Sequence, residues 1–347
     1  MSVDKPPLRT AVIGYGLAGR VFHVPLIAAN PAFALDLVVT SDRERAAQAA
    51  ATSAGPRVVG SVEEVWSRAH DLDLVVVAAP TDVHVALARQ AVEAGLAVVV
   101  DKPFAVTAQE GRDLVELARE RDVPLTVFQN RRLDGDFLTV RRLVAEGALG
   151  EVYRFESRFE RWSPAPRTGW RGATPGKDGG GITYDLGSHL VDQAIQLFGP
   201  VVDVYGEIDT HRPGSVNDDD AFIALRHRSG VRSHLWMSHW GSQPGPRFRV
   251  LGSAGSYVTW GLDGQEAALA SGVLPTDDHY GITPPENHGT LGVDGSDLVR
   301  MPTERGAYPR FYDAVANWLR GRGAVPVDPA DCNEVLRLIE QLRMSAA

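Results

Sequence analysis

Short, largely apolar runs alternate with helical patterns through the first third of the chain. Thr10–Ile13, Leu35–Thr40, Leu74–Ala79, Ala97–Val100 and Leu125–Phe128 have the length and Val/Ile/Leu content of strands buried on both faces. The stretches between them carry helix punctuation. Ser61-Val-Glu-Glu64 and Thr107-Ala-Gln-Glu110 have capping-box spacing, and Gly95 follows Ala88–Ala94 as a stop. Strands alternating with helices predict a parallel, doubly wound α/β sheet.

The pattern changes after about Gln129. Gly150–Phe159, Val201–Thr210, Ala221–His227, Val231–Ser238, Arg247–Leu251 and Ser256–Trp260 alternate as half-buried antiparallel strands do. Helices are predicted over Tyr184–Phe198, with Gly199 beyond it, and over Pro329–Met344. The expected organisation is a dinucleotide-binding domain over residues 1–128, then an α+β domain with one large, mainly antiparallel, open-faced sheet over residues 129–347. Two Gly/Pro-rich segments, Arg161–Gly181 and Ser271–Ser296, lack element signals and read as binding loops, subunit contacts or disorder.

Composition narrows the function classes. With 347 residues and 44% hydrophobic content, two substantial cores can form. The net charge of −9, without a basic arm, argues against nucleic acid and anionic membranes as main partners. The single cysteine, Cys332, admits no internal disulfide and no thiolate zinc site. No apolar leader is visible and no apolar run is long enough to cross a bilayer, so the chain is expected to be cytoplasmic. The remaining histidines show no metal-ligand spacing, and no essential metal is expected.

Gly14-Tyr15-Gly16-Leu17-Ala18-Gly19 follows a strand and opens a helical pattern, the context in which such glycines signify a dinucleotide site. Gly14 would permit the turn, Gly16 the approach of a pyrophosphate, and Gly19 helix-on-strand packing. At the end of the second strand, Ser41 and Arg43 could bind a ribose 2′-phosphate, which favours NADP over NAD, whereas Asp42 could reach the ribose hydroxyl instead. Pro80, Thr81, His84, Asp101 and Asn130 stand just beyond other strand ends, where cofactor edges are expected. Helix packing explains His84 and His23 equally well.

Asp185 and His189 lie one helical turn apart, and Lys102 sits in Asp101-Lys102-Pro103. An acid, an imidazole and an ammonium brought together could manage a proton near neutral pH. A buried Asp185–His189 pair of purely structural purpose competes with that reading. Arg131, Trp162, Trp170, Arg171 and Tyr184, with Asn130, Asp192, His239 and Arg247, are candidates for lining a substrate pocket.

These motifs together resemble the Gfo/Idh/MocA oxidoreductases, and the likeness runs from about Leu8 to the last helix. Gly14-Tyr-Gly-Leu-Ala-Gly-Arg-Val-Phe-His23, Asn130-Arg-Arg-Leu-Asp-Gly-Asp-Phe-Leu-Thr139 and Tyr184-Asp-Leu-Gly-Ser-His-Leu-Val-Asp-Gln193 are most similar to the NADP-dependent scyllo-inositol dehydrogenase branch. The resemblance implies hydride transfer between a nicotinamide and a secondary alcohol of a cyclic polyol or sugar. By the same carry-over His189 is the base, Lys102 bonds the reacting oxygen, and Asp185 orients substrate. It also implies a homodimer or homotetramer buried on the outer face of the second sheet. One departure is that the family triplet usually begins with Glu, and here with Asp101. A glycosidase that oxidises its substrate transiently, and a sensor that only binds dinucleotide, are the alternatives within such a family.

Overall fold

The structure, a computed structural model, describes residues 5–165, 169–296 and 298–346, those at 170, 171 and 346 by backbone alone. Six strands, β1 (Leu8–Ile13), β2 (Phe33–Val39), β3 (Arg57–Val59), β4 (Leu74–Val77), β5 (Ala97–Asp101) and β6 (Leu125–Phe128), form the first sheet. All are parallel, in the order β3-β2-β1-β4-β5-β6. The order reverses at β1 and β4, and the crevice beyond the carboxyl ends of strands at such a point is where ligands bind. Helices cover both faces, which is why β4 and most of β5 are wholly buried.

The second sheet has eight strands: β7 (Val152–Glu160), β8 (Val201–Asp209), β9 (Asp220–His227), β10 (Arg232–Ser238), β11 (Phe248–Gly252), β12 (Gly255–Thr259), β13 (Gly289–Gly292) and β14 (Val299–Met301). Their order is β14-β13-β12-β11-β7-β10-β9-β8, antiparallel except where β7 meets β10. Alternate residues of β9 and β10 are buried, as expected of a sheet with one face on a core. The helix Ser188–Phe198 packs against the inner face, so that Phe155 meets Phe198 at 5.4 Å.

Several elements differ from expectation. β3, β13 and β14 were not anticipated, being three or four residues long, and β13 crosses a segment read as loop. Helices Gly135–Ala145, Gln265–Ala270 and Pro309–Leu319 were also missed. The Thr107 capping box forms, with Glu110 N–H donating to Thr107 Oγ1 at 3.1 Å and Thr107 N–H to Glu110 Oε2 at 3.0 Å. The box expected at Ser61 does not, because Glu64 turns to Arg57 at 3.3 Å and only four residues, Glu63–Trp66, become helical.

The chain's last two helices return to the first sheet. Pro309–Leu319 sets Phe311 and Tyr312 against Phe128, the Phe311 ring at 4.9 Å, and Pro329–Ala346 packs on the helix Ala108–Glu120. No helix among the described residues is long and apolar enough to cross a membrane.

Candidate active site

One cavity of about 890 Å³ runs from the carboxyl ends of β1, β2 and β4 to the first turns of the helix on the second sheet. That volume lies toward the upper end of the usual range for ligand pockets, roughly 300–1,000 Å³.

The end nearest β1 is made of backbone. Gly14 has φ +104°, and a Cβ there would stand 2.5 Å from Ala78 O. A Cβ on Gly19 would meet Gly14 O at 2.1 Å, so this glycine lies under the loop and does not line the cavity. Gly16 has open space around the corresponding position. Two tight glycines and one facing open space are what a pyrophosphate against the first turn of a helix requires. That first turn, Ala18–His23, is π-helical, a wider geometry common at functional sites. The residues present therefore fit a dinucleotide, and Tyr15, Leu17, Ala18, Pro80, Thr81 and Asn130 join the lining as expected.

At the end of β2, Ser41 lines the cavity but Arg43 does not. Arg43 begins the helix Arg43–Ala50, and the guanidinium that reaches the lining is Arg45. Asp42 caps this helix, its Oδ1 accepting the Arg45 N–H at 2.9 Å, so the acid that could have met a ribose is engaged with backbone.

His84 has Nδ1 2.9 Å from Pro103 O and Nε2 2.8 Å from Ala79 O. Burial pushes its pKa down, against the opposing pull of Asp101 and the two carbonyls. It thus ties the end of β4 to the segment carrying Lys102. Asp101 is held beside His23 at 3.7 Å, and His23 Nδ1 lies 2.7 Å from Tyr312 Oη. Burial pushes the Asp101 carboxyl up, but His23, Lys102 and His84 together bring it below the usual carboxylate range.

Lys102, Asp185 and His189, far apart in the chain, all line this one cavity. Lys102 Nζ donates to Asp185 O at 2.7 Å and to Asp185 Oδ1 at 3.0 Å. An ammonium has three N–H bonds, so one remains for a ligand oxygen. Asp185 stands in a π-helical turn, Thr183–Gly187, that runs directly into Ser188–Phe198. The sequence for this helix predicted a shared face, and the wider first turn preserves it.

His189 is 3% exposed, and its Nδ1 is buried without a hydrogen-bond partner among the described residues. Its pKa lies well below the ordinary value because of burial and the nearby charges of Lys102 and Arg131, only partly offset by Asp185. The ring is therefore neutral at pH 7. A structural Asp–His pair would satisfy the imidazole. Here Asp185 serves the lysine, and a buried polar atom left unpaired calls for a functional account.

Asp218 was not anticipated. Its Oδ2 accepts from Thr183 N at 2.8 Å and Thr183 Oγ1 at 2.6 Å, while Arg343 Nη1 donates to Oδ1 at 2.8 Å. It anchors the turn that presents Asp185. Leu262 and Glu266, just before and within the helix Gln265–Ala270, were also missed and line the cavity, as do Phe159, Glu160 and Arg161. No local pattern marks them; strand and loop packing delivers them from distant positions.

Other candidates fall elsewhere. Arg131 does line the cavity, bonded to Glu266 and, at 3.0 Å, to Tyr308 Oη. Trp162 does not: it is 57% exposed, edge-on to Trp240 at 5.6 Å, because it pairs with Trp240 at the sheet's margin. Tyr184 is buried, its hydroxyl donating to Val106 O at 3.1 Å, and burial raises its pKa to about 12. Asp192 accepts both arms of Arg132 at 2.8 and 2.6 Å, Arg247 is enclosed beside Asp136 at 3.4 Å, and His239 accepts from Arg161 at 3.0 Å. The side chains of Trp170 and Arg171 lie outside the described residues. Away from the cavity, pairing of β8 with β9 brings Asp209, His211 and Asp220 within 4.8 Å of one another.

A parallel nucleotide-type sheet, a glycine loop at its switch point and a buried imidazole lining one cavity with an ammonium define a dinucleotide-linked oxidoreductase. Residues 8–129 match the family model described as an oxidoreductase family with an NAD-binding Rossmann fold, and residues 137–258 that of the GFO/IDH/MocA C-terminal domain. Over 96% of its length the chain is 40% identical to the uncharacterized oxidoreductase YdgJ of Escherichia coli, covering 94% of that protein. It is 32% identical to the scyllo-inositol 2-dehydrogenase (NADP(+)) IolW of Bacillus subtilis, across 96% of this chain and 92% of IolW. The solved structure of yvaA from Bacillus subtilis superposes with a TM-score of 0.89 at 32% identity, covering 98% of this chain and 96% of that one. The chain belongs to the Gfo/Idh/MocA oxidoreductase family.

Proposed function

We propose that the protein is an NADP-preferring dehydrogenase acting on a secondary alcohol of a cyclic polyol or sugar, with scyllo-inositol and scyllo-inosose as the best-matched pair. The observation that carries this is the convergence of Lys102, Asp185 and a neutral His189 in one cavity with the dinucleotide loop. The nicotinamide supplies the hydride acceptor or donor. Neutral His189 takes the hydroxyl proton in the oxidative direction, and the remaining N–H of Lys102 stabilises the oxygen as negative charge develops on it. Asp185 holds that ammonium in place. Loss of the proton to a weakly basic, buried imidazole is aided by Lys102, which lowers the cost of alkoxide character.

Ser41 and Arg45 in the lining, with Asp42 engaged as a cap, favour a 2′-phosphate. The IolW relative, named for scyllo-inositol and NADP(+), supports both parts of the reading. The half-buried Phe222, His234 and Trp236 on the second sheet, with Arg158 stacked 3.9 Å over Trp236, suit a homodimer or homotetramer contact. The buried thiol of Cys332 fits a reducing cytoplasm.

Initial rates with both nicotinamides across inositols, sugars and sugar acids test this function. Turnover of scyllo-inositol or its ketone with NADP(H) is expected. Turnover of no polyol or sugar, or a large preference for NAD, overturns the corresponding part.

A further inference from the structure

The two ends of the cavity carry different charge. At the dinucleotide end, Arg20 and Arg45 line the wall with no carboxylate bonded to either side chain among the described residues. At the other end, the charged side chains in the described lining are Lys102, Arg131 and Arg161 against Asp101, Glu160, Asp185 and Glu266. Carboxylates outnumber cations there, and two of the cations are paired directly: Lys102 with Asp185 at 3.0 Å, and Arg131 with Glu266.

Glu266 is the member of this set best placed to decide what binds. Its partner is rigid: Arg131 also bonds Tyr308 Oη at 3.0 Å, lies 3.6 Å from Asp134, and faces the Phe159 ring at 5.2 Å. Glu266 itself is 38% exposed, and its Oε1 makes no hydrogen bond to any described residue. It therefore presents an acceptor and a negative charge to whatever occupies the cleft, while offsetting the charge of the Arg131 guanidinium.

We propose that Glu266 is a specificity-determining residue that selects uncharged, hydroxyl-rich substrates and disfavours those bearing a carboxylate or phosphate. This rests on the dehydrogenase reading and deepens it. A neutral polyol gives Glu266 a hydroxyl donor and leaves the ion pairs intact. An anionic substrate meets a carboxylate where it needs a cation, and Arg131 is already engaged.

The test compares kcat/KM for a neutral inositol or aldose with that for the matching sugar acid, in wild type, Glu266→Gln and Glu266→Asp, at saturating cofactor, with cofactor KM measured in a separate series. Wild type is expected to favour the neutral compound. Glu266→Gln is expected to move the ratio toward the acid by about tenfold, the scale of one solvent-screened charge a few ångströms from the ligand, through KM, with cofactor KM unmoved. Glu266→Asp is expected to keep the wild-type ratio. An unchanged ratio in Glu266→Gln, a wild-type preference for the acid, or a change confined to cofactor KM overturns the proposal.

Turnover of neither compound counts against the dehydrogenase reading alone, because calorimetric titration of the cofactor-bound protein with the same two compounds gives the ratio without chemistry. If neither compound binds, or both bind with a ratio insensitive to Glu266→Gln, the proposal fails as well.

Discussion

The dinucleotide end and the substrate end of the cavity are built from different materials. The first depends on backbone that a side chain would obstruct: a Cβ at Gly19 would lie 2.1 Å from Gly14 O, and at Gly14 2.5 Å from Ala78 O. The second depends on long-range side-chain pairs, Lys102 with Asp185 and Arg131 with Glu266, joining positions 83 and 135 residues apart. Backbone requirements leave a regular trace in sequence, a spacing of glycines. The pairing of two distant charged side chains leaves no such spacing, even where the members, as with Lys102 and Asp185, can each be singled out by position.

The two ends should accordingly fail in different ways. His189→Ala is expected to reduce kcat by roughly 100-fold or more with cofactor affinity nearly intact, the usual size of acid–base assistance; Lys102→Met is expected to match it. Steady-state kinetics beside cofactor titration checks both, and weakened cofactor binding of the same size would erase the distinction between the ends. Gly19→Ala should do the opposite, weakening cofactor binding about tenfold or more, because a new methyl against fixed backbone costs about 1–3 kcal/mol. Fluorescence titration with NADPH would show it.

Asp218→Asn probes the seam between the two ends. It keeps the shape but weakens the anchor of the Asp185 turn, and turnover is expected to fall about tenfold through displaced Lys102, as small misplacements do. An unchanged kcat with normal pH dependence would make Asp218 purely structural. The smallest effect concerns pH. Since burial and neighbouring cations hold the His189 pKa well below its ordinary value, the base is already unprotonated at neutrality. The oxidative kcat/KM should stay level as pH falls through about 6.5 and decline only in more acid solution. A decline centred on the ordinary histidine value would show an imidazole far less enclosed.

The legible parts of the fold share a physical basis. Both major sheets could be read because β4 and most of β5 are buried runs, β1 and β2 are buried toward their ends, and β9 and β10 alternate over most of their length. β3, β13 and β14 are too short for any periodicity to emerge, and Gly135–Ala145 begins with a glycine whose Cβ would strike Glu304 O at 2.3 Å. That glycine is a tertiary choice, and by local propensity it argues against a helix. At the site, Lys102, Asp185 and His189 were visible through spacing and strand-end position. Arg45 rather than Arg43 lines the cavity, because which residue of a helix's first turn faces a cavity depends on how the helix is set, here by the Asp42 cap. Glu266 and Asp218 were invisible, since nothing local distinguishes a carboxylate that will meet a partner across the molecule.

The returning C-terminal helices bear on modularity. Thr126 Oγ1 donates to Val327 O at 2.8 Å, Asn30 donates to Asp313 at 2.8 Å, and Tyr312 seals His23 and Phe33 from water. A fragment cut after Phe128 would lose that cover and bare a greasy flank, so the nucleotide half is no portable cassette. Transplanting it into a chimera would require carrying residues 309–346 along with it.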